Sequence, residues 1–93
     1  MLTFEWDIHK AIQNRKKHKV SFEEASTIFG DVLSITKEDP LHSGDEERMI
    51  QIGTTNRNRM LVVVFTERDD KIRIISARKA TTKERKYYES HGQ

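Results

Sequence analysis

The alternation of apolar and polar positions along the chain predicts a β-α-α-β-β-β-β-α order. Thr3 to Trp6 is a short apolar opening that suits an edge strand. Asp7 follows as an N-cap. In the helix it starts, Ile8, Ala11, Ile12 and Arg15 lie along one face, and Lys10, Asn14, Lys17 and His18 along a polar one. That helix should end near His18 or Lys19. Ser21 and Glu24 have the spacing of a capping box. Phe22, Ala25, Ile28 and Phe29 form the stripe of a second helix, with Gly30 as its C′ residue. Asp31 to Glu38 reads as a strand, and Glu38 to Asp45 as a polar loop containing Pro40 and Gly44. A strand from Glu46 to Gly53 and a basic turn from Thr54 to Arg59 come next. Met60 to Thr66 is nearly all apolar and reads as a central strand. The tight turn Glu67 to Asp70 makes Lys71 to Ala77 its hairpin partner.

The end of the chain concentrates the chemistry. On a strict two-residue period, Ile72, Ile74, Ser76 and Arg78 share one face of the last strand, and Arg73, Ile75 and Ala77 the other. Thr81 and Glu84 repeat the capping-box spacing and open a helix from about Thr82 to Glu89. An arginine that ends a strand beside a helix N-terminus can bind an anion. Strands in a run, joined by short loops, form an antiparallel meander with the helices packed on one face. The expected architecture is a single α+β domain over 1–93: a small antiparallel sheet of about four to five strands, with two N-terminal helices and one C-terminal helix packed on it.

Composition narrows the classes. The chain is 34% apolar and 34% charged, which suits a compact domain with a thin core. It contains no cysteine, so disulfides and thiolate metal sites are excluded. No run approaches the ~20 apolar residues of a membrane span, and no charged-then-apolar leader opens the chain, so a cytoplasmic location is expected. The net charge is only +2, yet the charges are segregated. Basic blocks lie at Arg15 to Lys19, at Arg57 and Arg59, and from Arg78 to Lys86. Acids gather at Glu38, Asp39, Asp45, Glu46 and Glu47. A bipolar surface suits a polyanionic partner and a second, basic one. The bland reading of each block is a solvated face.

There is no Gly-rich phosphate loop, no zincin motif and no nucleophile-elbow serine. Two constellations remain. The acidic loop with Asp39, His42, Asp45, Glu46 and Glu47 lacks calcium-loop spacing, and a solvated loop is its simplest reading, so neither a metal nor another cofactor is expected. The basic constellation has Arg59 at the start of one strand and Arg78 at the end of its antiparallel partner, which brings both to one edge of the sheet. Guanidinium groups suit phosphodiesters because they are permanently charged and bidentate. RNA cleavage by the 2′-hydroxyl needs a base, a cation over the developing phosphorane and a proton for the leaving oxygen. Arginine and lysine supply the cation; Lys17, His18, Glu84 or Tyr88 can supply the rest. A rim of ion pairs to the last helix explains the same residues structurally. His18, near a helix C-terminus, has a structural cap as its default role. Of Tyr87 and Tyr88, one should pack and the other stack on a base or donate a proton.

Four stretches carry a resemblance: F-E-W-D at Phe4 to Asp7, K-H-K-V-S-F-E-E-A at Lys17 to Ala25, H-S-G-D-E-E-R at His42 to Arg48, and R-I-I-S-A-R-K-A-T with Glu84 and Arg85. Together they resemble the BrnT family of toxins from type II toxin–antitoxin systems. The resemblance implies a RelE-like fold and a metal-independent endoribonuclease that arrests translation. It also implies a BrnA-like antitoxin, a ribbon-helix-helix DNA-binding protein, in a heterotetramer with the toxin, with RNA as substrate and no membrane partner. Lys17, His18, Arg73, Arg78 and Glu84 match the family pattern and, with Arg59, form the expected catalytic set. Arg57, Lys79, Lys83, Arg85 and Tyr88 are the expected RNA-binding set. Lys19 stands where the family often has Gly, in the joint between the helices. The alternative is a non-catalytic module that docks a DNA-binding antitoxin through the same basic strip.

Overall fold

The structure, a computed structural model, describes residues 2–40 and 47–91. Most of the acidic loop, including His42, Asp45 and Glu46, lies outside the described residues. Within them one five-stranded sheet has the order β1-β5-β4-β3-β2, from β1 (Thr3–Trp6), β2 (Ile35–Glu38), β3 (Met49–Thr54), β4 (Met60–Arg68) and β5 (Lys71–Lys79). β2 to β5 form the expected antiparallel meander, and β1 lies at an edge. β1 runs parallel to β5, so the sheet is mixed rather than purely antiparallel. The cause is the chain's path: β1 is joined to the meander through the helices, which lets it reach β5 in the parallel sense.

Local signals set the element boundaries. Helix α1 (Ile8–His18) starts at Asp7, whose carboxylate accepts from the His9 and Lys10 amides. It stops at Lys19, which adopts a left-handed φ of 60° and donates its N–H to the Arg15 carbonyl. A left-handed backbone suits glycine better than a residue with a side chain, so Lys19 sits there under mild strain. Helix α2 (Phe22–Ser26) begins with the Ser21 hydroxyl accepting from the Glu24 amide at 3.1 Å. It is shorter than its apolar stripe implies, because Thr27–Gly30 tightens into a 3₁₀ turn. Gly53 on β3 lets that turn seat against the sheet, since a Cβ there would lie 3.0 Å from Cβ atoms of Ile28 and Ser34. The β4–β5 hairpin turns through Asp69 and Asp70, with φ values of 52° and 65°.

The sheet buries both faces. Leu61, Val63, Phe65, Ile72, Ile74 and Ala77 point toward α1 and α2, where Val20, Phe22, Ala25 and Ile28 complete the main core. Phe29 bridges Phe4 and Phe65 edge to face, with ring centroids 5.2 and 5.0 Å apart. The opposite face carries Ile50, Ile52, Met60 and Val62 against Ala80 and Tyr88. Helix α3 (Thr82–His91) therefore lies across the sheet from α1 and α2, not on one face with them as expected, because the second face of the sheet is apolar too. A capping box holds its start: the Thr81 hydroxyl accepts from the Glu84 amide at 3.2 Å, and the Glu84 carboxylate accepts from the Thr81 amide at 2.8 Å.

Three expectations are corrected. Asp31 to Ser34 is a turn rather than strand: the Asp31 carboxylate takes the amides of Leu33 and Thr54, at 3.0 and 2.8 Å. That turn leaves Val32 94% exposed. In α1, Ile8 and Ile12 face solvent, while Asn14 is buried from the polar row. Beyond Trp6 the outer edge of β5 has no partner strand among the described residues, and Asn14 takes the strand's place there. Its amide donates to the Ala77 carbonyl at 2.8 Å and accepts from the Ala77 N–H at 3.1 Å. Third, β5 does not keep a strict alternation. A bulge between Ile74 and Ser76 shifts the register, so Ile74 pairs with Phe65 and Ser76 with Val64. Ala77 then joins Ile72 and Ile74 in the main core, and Ser76 and Arg78 turn to the α3 face.

Candidate active site: an arginine fixed at the mouth of an apolar cleft

Because of the bulge, Arg78 stands opposite Val62 on the α3 face and points at the start of α3. Its two terminal nitrogens meet the two carboxylate oxygens of Glu84, at 2.8 Å each. Glu84 thereby fills the anion position beside the helix N-terminus. It accepts from a guanidinium and from the Thr81 amide at once. The hydrogen bonds from Arg78, against the opposing effect of burial, hold the Glu84 carboxyl at about 2. A carboxylate this acidic is a poor proton acceptor at neutral pH. What it does well is hold the guanidinium plane in one orientation. The pair remains half-open, with side-chain exposures of 42% for Arg78 and 27% for Glu84.

Arg78 and Glu84 stand at the mouth of a cleft of about 310 Å³ between the sheet and α3. Ile50, Ile52 and Val62 form its floor, Tyr87 forms a wall, and Lys37 and Lys83 supply positive charge. The Lys37 ammonium lies 5.3 Å from the centre of the Tyr87 ring, and His91 stacks on that ring at 4.0 Å. A second, shallower hollow lies at the open edge of β5. Lys10, Lys17 and His18 line it from α1, and Ile75 and Ser76 from β5. Ser76 precedes Arg78 by two residues on the same strand face, but the two hollows share no lining residue.

The other expected residues divide between these places and elsewhere. Lys17 and His18 line the hollow at the open edge of β5 with Ser76, and not the cleft that holds Arg78. Arg73 also faces the α3 side, but five residues down the strand, where its Nη1 is 3.5 Å from Glu5. Lys79 and Arg85 are exposed at the end of β5 and on α3, and Arg57 is exposed on the β3–β4 turn. Arg59 does not join Arg78. It reaches the same end of the sheet on the opposite face and grips Glu24 with two hydrogen bonds, at 2.8 and 2.6 Å. The Thr55 hydroxyl adds a third contact to Glu24 at 2.9 Å, and Arg59 also donates to the Lys19 carbonyl at 3.3 Å. The Arg59 hydrogen bonds, aided by Thr55, outweigh burial and lower the pKa of Glu24. The two tyrosines divide the work in the unexpected order. Tyr88 packs, and its hydroxyl donates to Asp31 at 2.7 Å, tying α3 to the turn before β2. Burial raises its pKa, and the Asp31 carboxylate adds to the effect. Tyr87 lines the cleft instead. Helical phase carries a partial signal for this, since Tyr88 falls on the same helix face as Glu84, four residues earlier.

Among the described residues no group of three or more His, Asp or Glu side chains could hold a metal ion. No helix of the described residues is long and apolar enough to cross a membrane. The fold and the fixed arginine define a small α+β domain with cationic side chains gathered at one cleft, a class suited to phosphate chemistry. A sequence model of the ribonuclease toxin BrnT of type II toxin–antitoxin systems matches residues 6–84, and the chain belongs to this family. The backbone is similar to the crystal structure of the Brucella abortus ribonuclease toxin BrnT, with a TM-score of 0.64 and 22% identity over 88% of this chain and 100% of that one. No curated protein matches the chain. Family membership carries with it an antitoxin partner.

Proposed function

We propose that the chain is a metal-independent endoribonuclease that cleaves RNA at the Arg78 site and thereby arrests translation. One observation carries the proposal: the Arg78 guanidinium is locked by Glu84, yet stays open to a cleft rimmed by lysines. In the reaction, the 2′-hydroxyl oxygen attacks the adjacent phosphorus and loses its proton to a base. The bond to the 5′-oxygen breaks, that oxygen takes a proton, and a 2′,3′-cyclic phosphate remains. Arg78 and Lys83 offset the charge that grows on the phosphorane oxygens. Lys17 and His18, across the open edge of β5, are the candidates for proton transfer. Glu84 positions Arg78 rather than moving a proton. Arg73, Arg57, Lys79 and Arg85 lie outside the cleft and suit backbone phosphates of a longer strand. The antitoxin is BrnA-like, a ribbon-helix-helix protein that covers this face in a heterotetramer in the cytoplasm.

The test is cleavage of RNA by the purified chain, with and without ribosomes, in the presence of a chelator. Cleavage that persists with chelator and is lost in Arg78→Ala is the expected result. A second reading, a non-catalytic docking module for a DNA-binding antitoxin, draws on the fact that Arg59 and Arg78 both already have carboxylate partners. Growth arrest on expression of the chain alone separates the two, since a docking module has no toxicity of its own.

A further inference from the structure

The cleft beside Arg78 holds more than a phosphate site requires. Its floor is entirely aliphatic, from Ile50 and Ile52 on β3 and Val62 on β4. A phosphate gains nothing from such a floor. A flat ring with two apolar faces and a polar edge does, because it can shed water from its faces and keep its edge at the rim. The volume of about 310 Å³ sits at the small end of ligand pockets. It is the size for one ring system with its sugar, not for a length of peptide.

The wall and rim specify the ring further. Tyr87 brings an aromatic surface to the cleft, and its ring is steadied by His91 at 4.0 Å. Lys37 projects from β2 beside Ile50, its register partner, and reaches the Tyr87 ring at 5.3 Å. Lys83 stands on α3, one residue before Glu84. The rim therefore presents two flexible ammonium groups, which only donate hydrogen bonds, around an apolar and aromatic interior. With Arg78 fixed at the mouth, the arrangement matches a nucleotide: base inside, acceptor atoms toward the lysines, phosphate at the guanidinium.

We infer that the cleft formed by Ile50, Ile52, Val62 and Tyr87 seats one nucleobase of single-stranded RNA, the base flanking the phosphate held at Arg78. The inference rests on the assignment of Arg78 to the phosphate and adds a base-recognition site to it. Tyr87 is then a binding residue, and Tyr88 behind it a positioning residue that fixes α3 through Asp31. An unpaired, unstacked base is required, because a base in a duplex cannot enter a cleft floored by the sheet. The seat therefore directs the activity toward single-stranded segments.

The experiment is a methyl and arginine side-chain NMR titration with a set of nucleoside 3′-monophosphates, compared with inorganic phosphate. The expected result is that nucleotides shift the methyl signals of Ile50, Ile52 and Val62, whereas phosphate shifts only Arg78. Nucleotides should bind at least tenfold more tightly than phosphate. Tyr87→Ala should weaken nucleotide binding by about tenfold, the effect of removing one base–aromatic contact, and leave phosphate binding unchanged. Tyr87→Phe should retain nucleotide affinity. Tyr87 is on an exposed helix surface, and a thermal melt confirms that both variants fold. Equal affinities for phosphate and nucleotides, with unmoved methyls, would overturn the base seat and leave the phosphate site standing. Methyl shifts without any response at Arg78 would remove Arg78 from the phosphate and overturn the pairing of base seat and guanidinium. Methyls that respond to the antitoxin but to no nucleotide would make the cleft a protein-docking groove and end the proposal.

Discussion

Among the described residues the same chemical device stands at two places, in different surroundings. Arg59 and Glu24 pair with two hydrogen bonds on the α1/α2 face; Arg78 and Glu84 do so on the α3 face. The Glu24 side chain is 7% exposed and has the Thr55 hydroxyl as a further donor. Arg59 extends the lock to the Lys19 carbonyl, at the joint between the first two helices. Three hydrogen bonds tie that carboxylate to the fold. Glu84 is tied to the backbone only at its own helix start, and its arginine looks into an open cleft. A fork-shaped ion pair is thus no sign of function by itself. What surrounds it decides, because a pair whose carboxylate is enclosed and tied to its neighbours offers a ligand less than one that opens on a cleft.

The comparison breaks most visibly in activity. Arg78→Ala should reduce RNA cleavage by about 100- to 1,000-fold in single-turnover assays, the range seen when one transition-state donor is removed. Its melting temperature should move by only a few degrees, since a half-exposed pair contributes ~1 kcal/mol or less. Comparable loss of activity in a properly folded Arg59→Ala variant would erase the distinction. The converse effect is the next largest. Glu24→Ala removes the carboxylate partner of Arg59 and of the Thr55 hydroxyl, and should cost roughly 2–3 kcal/mol in urea unfolding. For a domain of this length that is a drop of roughly 10–20 °C in melting temperature.

The pH dependence sharpens the same contrast. The Glu84 carboxyl, held at about 2 by Arg78, lies below its unfolded value of 4.5. Its contribution to stability is therefore complete above pH 4.5 and is lost as pH falls from there toward 2. Carbon-detected titration of Glu84 should give a midpoint near 2 in the parent and a return toward 4.5 in Arg78→Ala. A midpoint unmoved by that substitution would mean that Arg78 is not what holds the charge. The smallest expected effect is a gain. Lys19 sits at φ 60°, so Lys19→Gly should stabilise the helix joint by about 0.5–1 kcal/mol, visible as a higher urea midpoint at constant slope.

Much of the fold was legible in the sequence because its signals are local. Asp7, the Ser21–Glu24 spacing and the Thr81–Glu84 spacing each mark a helix start, and each makes its cap in the structure. The apolar run at Met60 does become the strand buried on both faces. The site was half legible. Arg78 and Glu84 lie six residues apart, across one corner, and their likeness to the family motif drew attention to both. Tyr88 was expected to contact RNA and Tyr87 lines the cleft instead, because helix phase alone does not say which of two adjacent tyrosines faces a cleft. Asn14 looked like one more polar residue of a basic helix, yet it completes the edge of β5.

The sequence by itself determined the α+β class, the element order, the three helix starts and the basic end of the chain. All of these depend on residues within one or two turns of each other, where side-chain chemistry and backbone preference act directly. Only the tertiary structure decided that β1 runs parallel to β5, that α3 takes the face opposite α1 and α2, and that a bulge turns Arg78 toward it. The same packing gave Arg59 to Glu24 and Arg78 to the cleft. A one-residue change of register moves every later side chain of a strand to the other face, and periodicity read along one strand cannot supply the partner that fixes it.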